Sequence, residues 1–292
     1  MDRSDFLKMM AVLPLGGFSM NLNELKNITD GYSNTRQLPV LFVGHGSPMN
    51  AIADNAFTRS LGKWGNTFEE KPRAILVISA HWLTHGSHVM VSPKPRTIHD
   101  FGGFPQALYQ IEYPADGSPE YASETRRLVT STNVTDDDTW GLDHGAWTIL
   151  RHMFPKADIP VYQLSIDYAK PPVYHYNLAR ELKGLRQKGV LVIGSGNIVH
   201  NLYQIDFDEH AKPYDWATEF DQTVKKQLQD KDYDHLINYT LSGKAAQLSV
   251  PTNDHYLPML YSLGLTEKSE SLTFTFEEIQ NASISMRCFQ VG

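Results

Sequence analysis

Residues 190–200 read Val190-Leu191-Val192-Ile193-Gly194-Ser195-Gly196-Asn197-Ile198-Val199-His200. The run Val190–Ile193 offers no polar position to water, so it describes a strand buried on both faces, the habit of a parallel sheet. The strand breaks at Gly-Ser-Gly and delivers a histidine. Two other stretches share this design: Leu38-Pro39-Val40-Leu41-Phe42-Val43-Gly44-His45 and Ala74-Ile75-Leu76-Val77-Ile78-Ser79-Ala80-His81. Ligands of open α/β sheets gather at the carboxyl ends of their strands. Three histidines arriving at one such edge point to a metal site.

The rest of the chain fits this frame. Apolar spacing predicts helices over Asn55–Trp64, Pro119–Thr130, Asp143–Phe154, Val173–Gly184 and Trp216–Gln229. A short helix is predicted over His255–Leu263, capped by Asn253 or Asp254, and a strand over Ile159–Ile166. Leu272–Phe276 and Ser283–Met286 alternate with period two and predict late strands that form an antiparallel pair. Strands alternating with helices give the fold class α/β: a single domain, residues 37–292, whose mostly parallel central sheet is flanked by helices, with the metal site at the strand carboxyl ends. Lys94–Pro119, rich in Pro, Gly and aromatic residues, predicts a long ordered loop, and such loops are usually functional.

Composition narrows the partners. The 292 residues are 41% hydrophobic and 20% charged, with a formal net charge of −7 and no long basic run. A nucleic-acid surface needs a clustered basic face, so none is expected. The single cysteine, Cys288, excludes a thiolate cage, which leaves imidazole, carboxylate and water as metal ligands. Twelve histidines make imidazole the abundant donor. At the amino terminus, Asp2-Arg3-Ser4-Asp5-Phe6-Leu7-Lys8 and the mostly apolar run Met9–Met20 resemble a twin-arginine export signal in which Ser4 replaces the second arginine. The run is too short for a membrane span, so no membrane partner is expected. Residues 1–36 are set apart as a leader or signal-like segment. The expected location is cytoplasmic, with export by this degenerate leader as the alternative.

Five histidine motifs carry the chemistry. Gly44-His45-Gly46-Ser47-Pro48 and Ser79-Ala80-His81-Trp82 end strands, and Gly196-Asn197-Ile198-Val199-His200-Asn201 follows one. Asp143-His144-Gly145-Ala146-Trp147 opens a helix, whose dipole keeps an imidazole neutral and suits a hydrogen-bond donor or proton shuttle. In Asp254-His255-Tyr256-Leu257-Pro258 the aspartate can orient the histidine. His99 lies in the aromatic loop Thr97–Pro105, where it can line a pocket. Each motif taken alone is also what a strand-end turn, a capping turn or a solvated histidine looks like. One metal pocket explains them together.

With these residues in place, the chain from about Leu38 onward resembles the class III extradiol ring-cleavage dioxygenases, of the 4,5-DOPA dioxygenase type. The resemblance is carried by the strand-end histidine motifs, His99-Asp100-Phe101-Gly102-Gly103-Phe104-Pro105, Trp140-Gly141-Leu142-Asp143-His144-Gly145, Gly196–Leu202 and His255-Tyr256-Leu257-Pro258. It implies one divalent metal ion, Fe2+ or Zn2+, held by His45, His81 and His255. The wider family uses a glutamate as third ligand, and His255 departs from that pattern. His200 matches the family's catalytic histidine and can also reach the metal. His144 is implied as a second catalytic group. The implied substrates are a small-molecule catechol and dioxygen, with His99, Phe101, Phe104, Trp82 and Tyr256 as pocket residues. Two rivals stand beside this reading: a zinc-dependent hydrolase, since three imidazoles and an open position activate water, and a non-catalytic metal-binding relative of the same fold.

Overall fold

The structure is a computed structural model that describes residues 36–292, so residues 1–35 of the leader segment read from the sequence lie outside the described residues. Six strands form the central sheet: β1 (Val40–Gly44), β2 (Ala74–Ser79), β3 (Val161–Gln163), β4 (Val190–Gly196), β5 (Leu272–Phe276) and β6 (Cys288–Val291). Their order is β3-β2-β4-β1-β6-β5. The first four run parallel, and β6 and β5 complete the sheet antiparallel. Every residue of β1, β2 and β4 is buried, as their unbroken apolar composition requires. The sheet is thus the mixed α/β arrangement that the alternation of elements implied.

The helices close where local chemistry caps them. The longer ones are α1 (Ala56–Gly65), α2 (Pro119–Leu128), α3 (His144–Met153), α4 (Pro172–Glu181), α5 (Asp215–Asp230) and α6 (Leu257–Gly264). Asn55 and Thr58 form a reciprocal capping box on α1, and the Asp143 carboxylate accepts from the Ala146 N–H at the start of α3. No helix among the described residues is long and apolar enough to cross a membrane.

The strand predicted over Ile159–Ile166 divides into Val161–Gln163 in the central sheet and a short Ile166–Asp167 that pairs with Leu83–Thr84, and two further details of the sequence reading change. Ile284–Ser285 pairs with Ile279–Gln280, whereas the partner of Leu272–Phe276 is Cys288–Val291. Alternation marks a strand but does not select its neighbour. The short helix begins at Leu257, after His255, and neither Asn253 nor Asp254 caps it: Tyr256 holds the cap position with no side-chain bond, and Asp254 is committed to the His255 ring.

The end of β4 shows how the layers meet. Successive residues of a strand point to opposite faces. A Cβ on Gly194 would strike the Pro258 carbonyl of α6, and one on Gly196 would strike the His255 carbonyl. Between them Ser195 faces the other way and donates to the Gly145 carbonyl of α3 at 2.5 Å. Gly-Ser-Gly therefore lets the chain around His255 lie directly on one face of the sheet while the intervening hydroxyl ties the opposite helix. The Asn197 N–H donates to the His255 carbonyl at 2.8 Å and fixes that approach. Replacing Gly196 with alanine should lift the His255 segment off the strand and destabilise the fold by about 1–3 kcal/mol. A urea unfolding midpoint equal to that of the parent protein would show that the segment yields freely.

Candidate metal centre

The sheet edge assembles the histidines. His45 follows β1, and its N–H donates to the Gly196 carbonyl at 3.1 Å. Gly44 fits there because a Cβ would come within 2.8 Å of the Ser285 carbonyl. His81 lies two residues past β2, and its N–H donates to Ser79 Oγ at 3.2 Å. His255 arrives on the segment seated over Gly196. The three rings form a near-equilateral triangle, with centroids 5.0 Å (His45–His81), 5.2 Å (His45–His255) and 5.0 Å (His81–His255) apart. One ligand nitrogen from each lies within 4.8 Å of the others.

Each ring is held from behind. Ser195 has one proton, and it goes to Gly145, so its oxygen accepts from His45 Nδ1 at 3.0 Å. The Asp254 carboxylate accepts from His255 Nδ1. Asp100 Oδ2 stands 3.4 Å from His81 Nδ1. Ser195 and Asp254 favour a proton on Nδ1 of His45 and His255, and the facing Asp100 carboxylate favours the same for His81. In that tautomer the remaining donor of each ring is the Nε2 lone pair, and Nε2 of His45 and His81 stand 3.1 Å apart, a distance at which two bare nitrogens repel unless a proton or a cation lies between them. The donor set therefore fits a divalent metal of the borderline or first-row class.

His144 and His200 flank the triangle. His144, the first residue of α3, has its ring 3.9 Å from that of His81, and its Nδ1 is 3.0 Å from Asp100 Oδ2, bent away from a straight hydrogen bond. The His200 ring stacks on His255 at 3.5 Å and 6°. Burial first, then the charge of neighbouring imidazoles, holds His45, His81 and His200 well below the ordinary imidazole range. All three are neutral at pH 7. The Asp254 carboxyl, although burial works to raise it, is held far below the usual carboxylate range by its bond to His255.

Of the expected pocket residues, Phe101 reaches the centre: its ring meets His144 edge-on at 5.6 Å. Phe104 stands behind it at 5.4 Å and His99 at 5.8 Å, with His99 Nε2 bound to the Ile111 carbonyl. Trp82 is buried and stacks on Trp140, and Tyr256 is buried against Tyr239 with its hydroxyl on the Leu236 carbonyl. Both are spent on packing beside the centre. The sequence reading missed Ser195, Asp100 and the deeper bonds of Asp143, whose carboxylate accepts from Ser79 Oγ at 2.6 Å and Gln163 Nε2 at 2.7 Å. The Gly-Ser-Gly spacing was the available signal for Ser195, and the aromatic loop for Asp100.

Comparison with known proteins gives one consistent answer. Residues 39–287 match the family described as the catalytic LigB subunit of aromatic ring-opening dioxygenase. The chain is 46% identical over 269 residues to a 4,5-DOPA dioxygenase extradiol of Escherichia coli, covering 91% of this chain and 98% of that protein. A 4,5-DOPA dioxygenase extradiol of Beta vulgaris is 39% identical over 229 residues, 76% of this chain and 85% of the relative. A crystal structure of an uncharacterised E. coli protein superposes with a TM-score of 0.77 at 42% identity, covering 88% of this chain and all (100%) of the other.

The depressed imidazoles set a pH dependence. In the unfolded chain they titrate near the ordinary value of about 6.5. In the folded metal-free protein they stay neutral to lower pH, so below that point the unfolded state binds more protons. Stability is then complete above pH 6.5 and falls as acid is added, by about 1.4 kcal/mol per pH unit for each histidine concerned. Thermal melts of the metal-free protein from pH 7.5 to 5 should show the midpoint flat and then falling. A midpoint that rises on acidification would contradict neutral burial.

Proposed function

This chain belongs to the family of the catalytic LigB subunit of aromatic ring-opening dioxygenases, and from that premise we propose that it opens a catechol of the DOPA class beside its diol, with dioxygen, at a divalent metal held by Nε2 of His45, His81 and His255. The observation that carries the metal assignment is the convergence of three imidazoles whose Nδ1 atoms each face a partner on the outer side. The catalytic domain spans residues 37–292, and the relatives named 4,5-DOPA dioxygenase extradiol supply the substrate class.

A ferrous ion, when bound, would supply the Lewis acidity and one-electron chemistry that no side chain here offers, and zinc would fit the same three nitrogens without that redox capacity. Around it the residues divide the work. His200, neutral at pH 7 and stacked on His255, is the general base for a phenolic proton. His144, on the other side beside His81, presents a ring that hydrogen-bonds the reacting oxygens or returns a proton. Phe101 and Phe104 wall the aromatic ring of the substrate. His45 and His255 are buried, while the His81 side chain stays part-exposed. The hydrolase and scaffold alternatives lose ground because the family and the named relatives are dioxygenases.

The test is anaerobic loading with Fe2+, addition of DOPA, and measurement of oxygen uptake and the yellow ring-opened product. His45→Ala and His81→Ala should lose metal binding and activity together while retaining the native circular dichroism spectrum. His200→Ala should keep its metal and lose about 10²–10⁴ in kcat. Unchanged metal content in both ligand variants, or no oxygen uptake by the iron-loaded parent protein, overturns the proposal.

A further inference from the structure

We infer that Asp100 is a positioning residue: its carboxylate locks His81 and His144 into their working tautomers and joins the aromatic loop to the metal centre. The inference rests on the metal-centred function proposed above and adds a residue which that function did not use.

One backbone donor and two imidazole nitrogens face this one carboxylate. Oδ1 accepts the His144 backbone N–H at 2.9 Å, and Oδ2 lies 3.0 Å from His144 Nδ1 and 3.4 Å from His81 Nδ1. Both imidazoles thus turn the same ring atom toward the same oxygen. An ionised carboxylate is acceptor-only, so it favours the tautomer in which each facing nitrogen carries the proton. That leaves the Nε2 lone pair of His81 for a metal and the Nε2 of His144 for proton exchange. The bent His144 contact is the kind that straightens when a ligand fills the site.

Asp100 is also fixed from the chain side. The Ile98 N–H donates to the Leu142 carbonyl at 2.7 Å, and the Ile98 carbonyl accepts from Trp147 Nε1 at 2.8 Å. Phe101 follows immediately and meets His144 edge-on. The loop is therefore docked on α3 on both sides of Asp100. A substrate ring pressing on Phe101 acts on a segment whose next residue holds a metal ligand and a catalytic histidine. Asp100 touches no reacting atom in this arrangement; it acts through the two rings.

The isosteric change Asp100→Asn separates this role from simple packing. The amide keeps one acceptor oxygen for the His144 backbone N–H but turns an NH2 donor toward the imidazoles. A donor facing Nδ1 favours the opposite tautomer, which places the proton on Nε2, the atom His81 needs bare. With Co2+ titrated into the metal-free protein, Asp100→Asn should bind about 10- to 100-fold more weakly, the range for loss of a ligand's outer partner. Its circular dichroism spectrum should stay native. Long-range 1H–15N spectra of the zinc-loaded protein should show the His144 proton on Nδ1 in the parent and on Nε2 in the variant. At saturating Fe2+, kcat for DOPA should fall further than KM rises. Asp100→Glu, which keeps the charge on a longer arm, should recover part of the cobalt affinity.

Unchanged cobalt affinity and an unchanged His144 tautomer in Asp100→Asn overturn the inference, as does equal impairment of the Asn and Glu variants. If the parent protein binds cobalt and the two variants behave as expected, but no catechol is cleaved, the dioxygenase reading fails while the positioning role stands. A parent protein that takes up no cobalt removes both.

Discussion

Two imidazole nitrogens 3.1 Å apart, on rings whose other nitrogens face Ser195 and Asp100, form the constraint around which this protein is built. With the protons on Nδ1, lone pair faces lone pair in a buried place. Each ring has a polar partner behind it: Ser195 for His45, Asp100 for His81 and Asp254 for His255. Burial raises the stakes: it disfavours the charged imidazolium that would otherwise relieve the repulsion. What remains is a site with a standing demand for a cation.

The sheet meets the geometric half of that demand. Parallel pairing of β1, β4 and β2 in register brings Gly44 beside Gly196 and Ser79 beside Ser195, so their following residues leave the sheet at one level. His45 and His81 then need only one or two further residues to face each other. The third histidine comes from a different element, on a segment that reaches the sheet because Gly194 and Gly196 present no side chain to block it. The serine between those glycines points to the opposite face, where it holds both His45 and α3. One tripeptide thus serves both faces of the sheet.

This division explains what could be read from the sequence. Val40–Val43, Ala74–Ile78 and Val190–Ile193 announce buried parallel strands because nothing in them suits water, and a histidine after each is visible without a structure. His255 carries no such sign; an Asp-His pair before a short apolar run looks like a capping turn, and only resemblance singled it out. Asp254 was legible as its partner through adjacency in the chain. Asp100 and Ser195 were not, because their partners lie far away in sequence: Asp100 is 44 residues from His144, and Ser195 is 150 from His45. The pairing of the tail failed for a related reason. Leu272–Phe276 and Ser283–Met286 both alternate, but a bulge between Cys288 and Phe289 and the competing short pair at Ile279–Gln280 decide which strands meet, and neither is written in alternation.

The proposed ligand set is neutral, which raises a question of charge that the same outer partners bear on. A divalent ion among three imidazoles would lack the anionic ligand that the wider family draws from glutamate. Here the two carboxylates stand one imidazole away, Asp254 behind His255 and Asp100 behind His81. Coulomb attraction falls inversely with distance, so two carboxylates one ring away from a cation would compensate for a directly bonded one only in part. On the proposed function, a catechol beside such a cation would hold its protons less tightly, and His200, kept neutral at pH 7 by burial and the neighbouring imidazoles, would take one of them more easily.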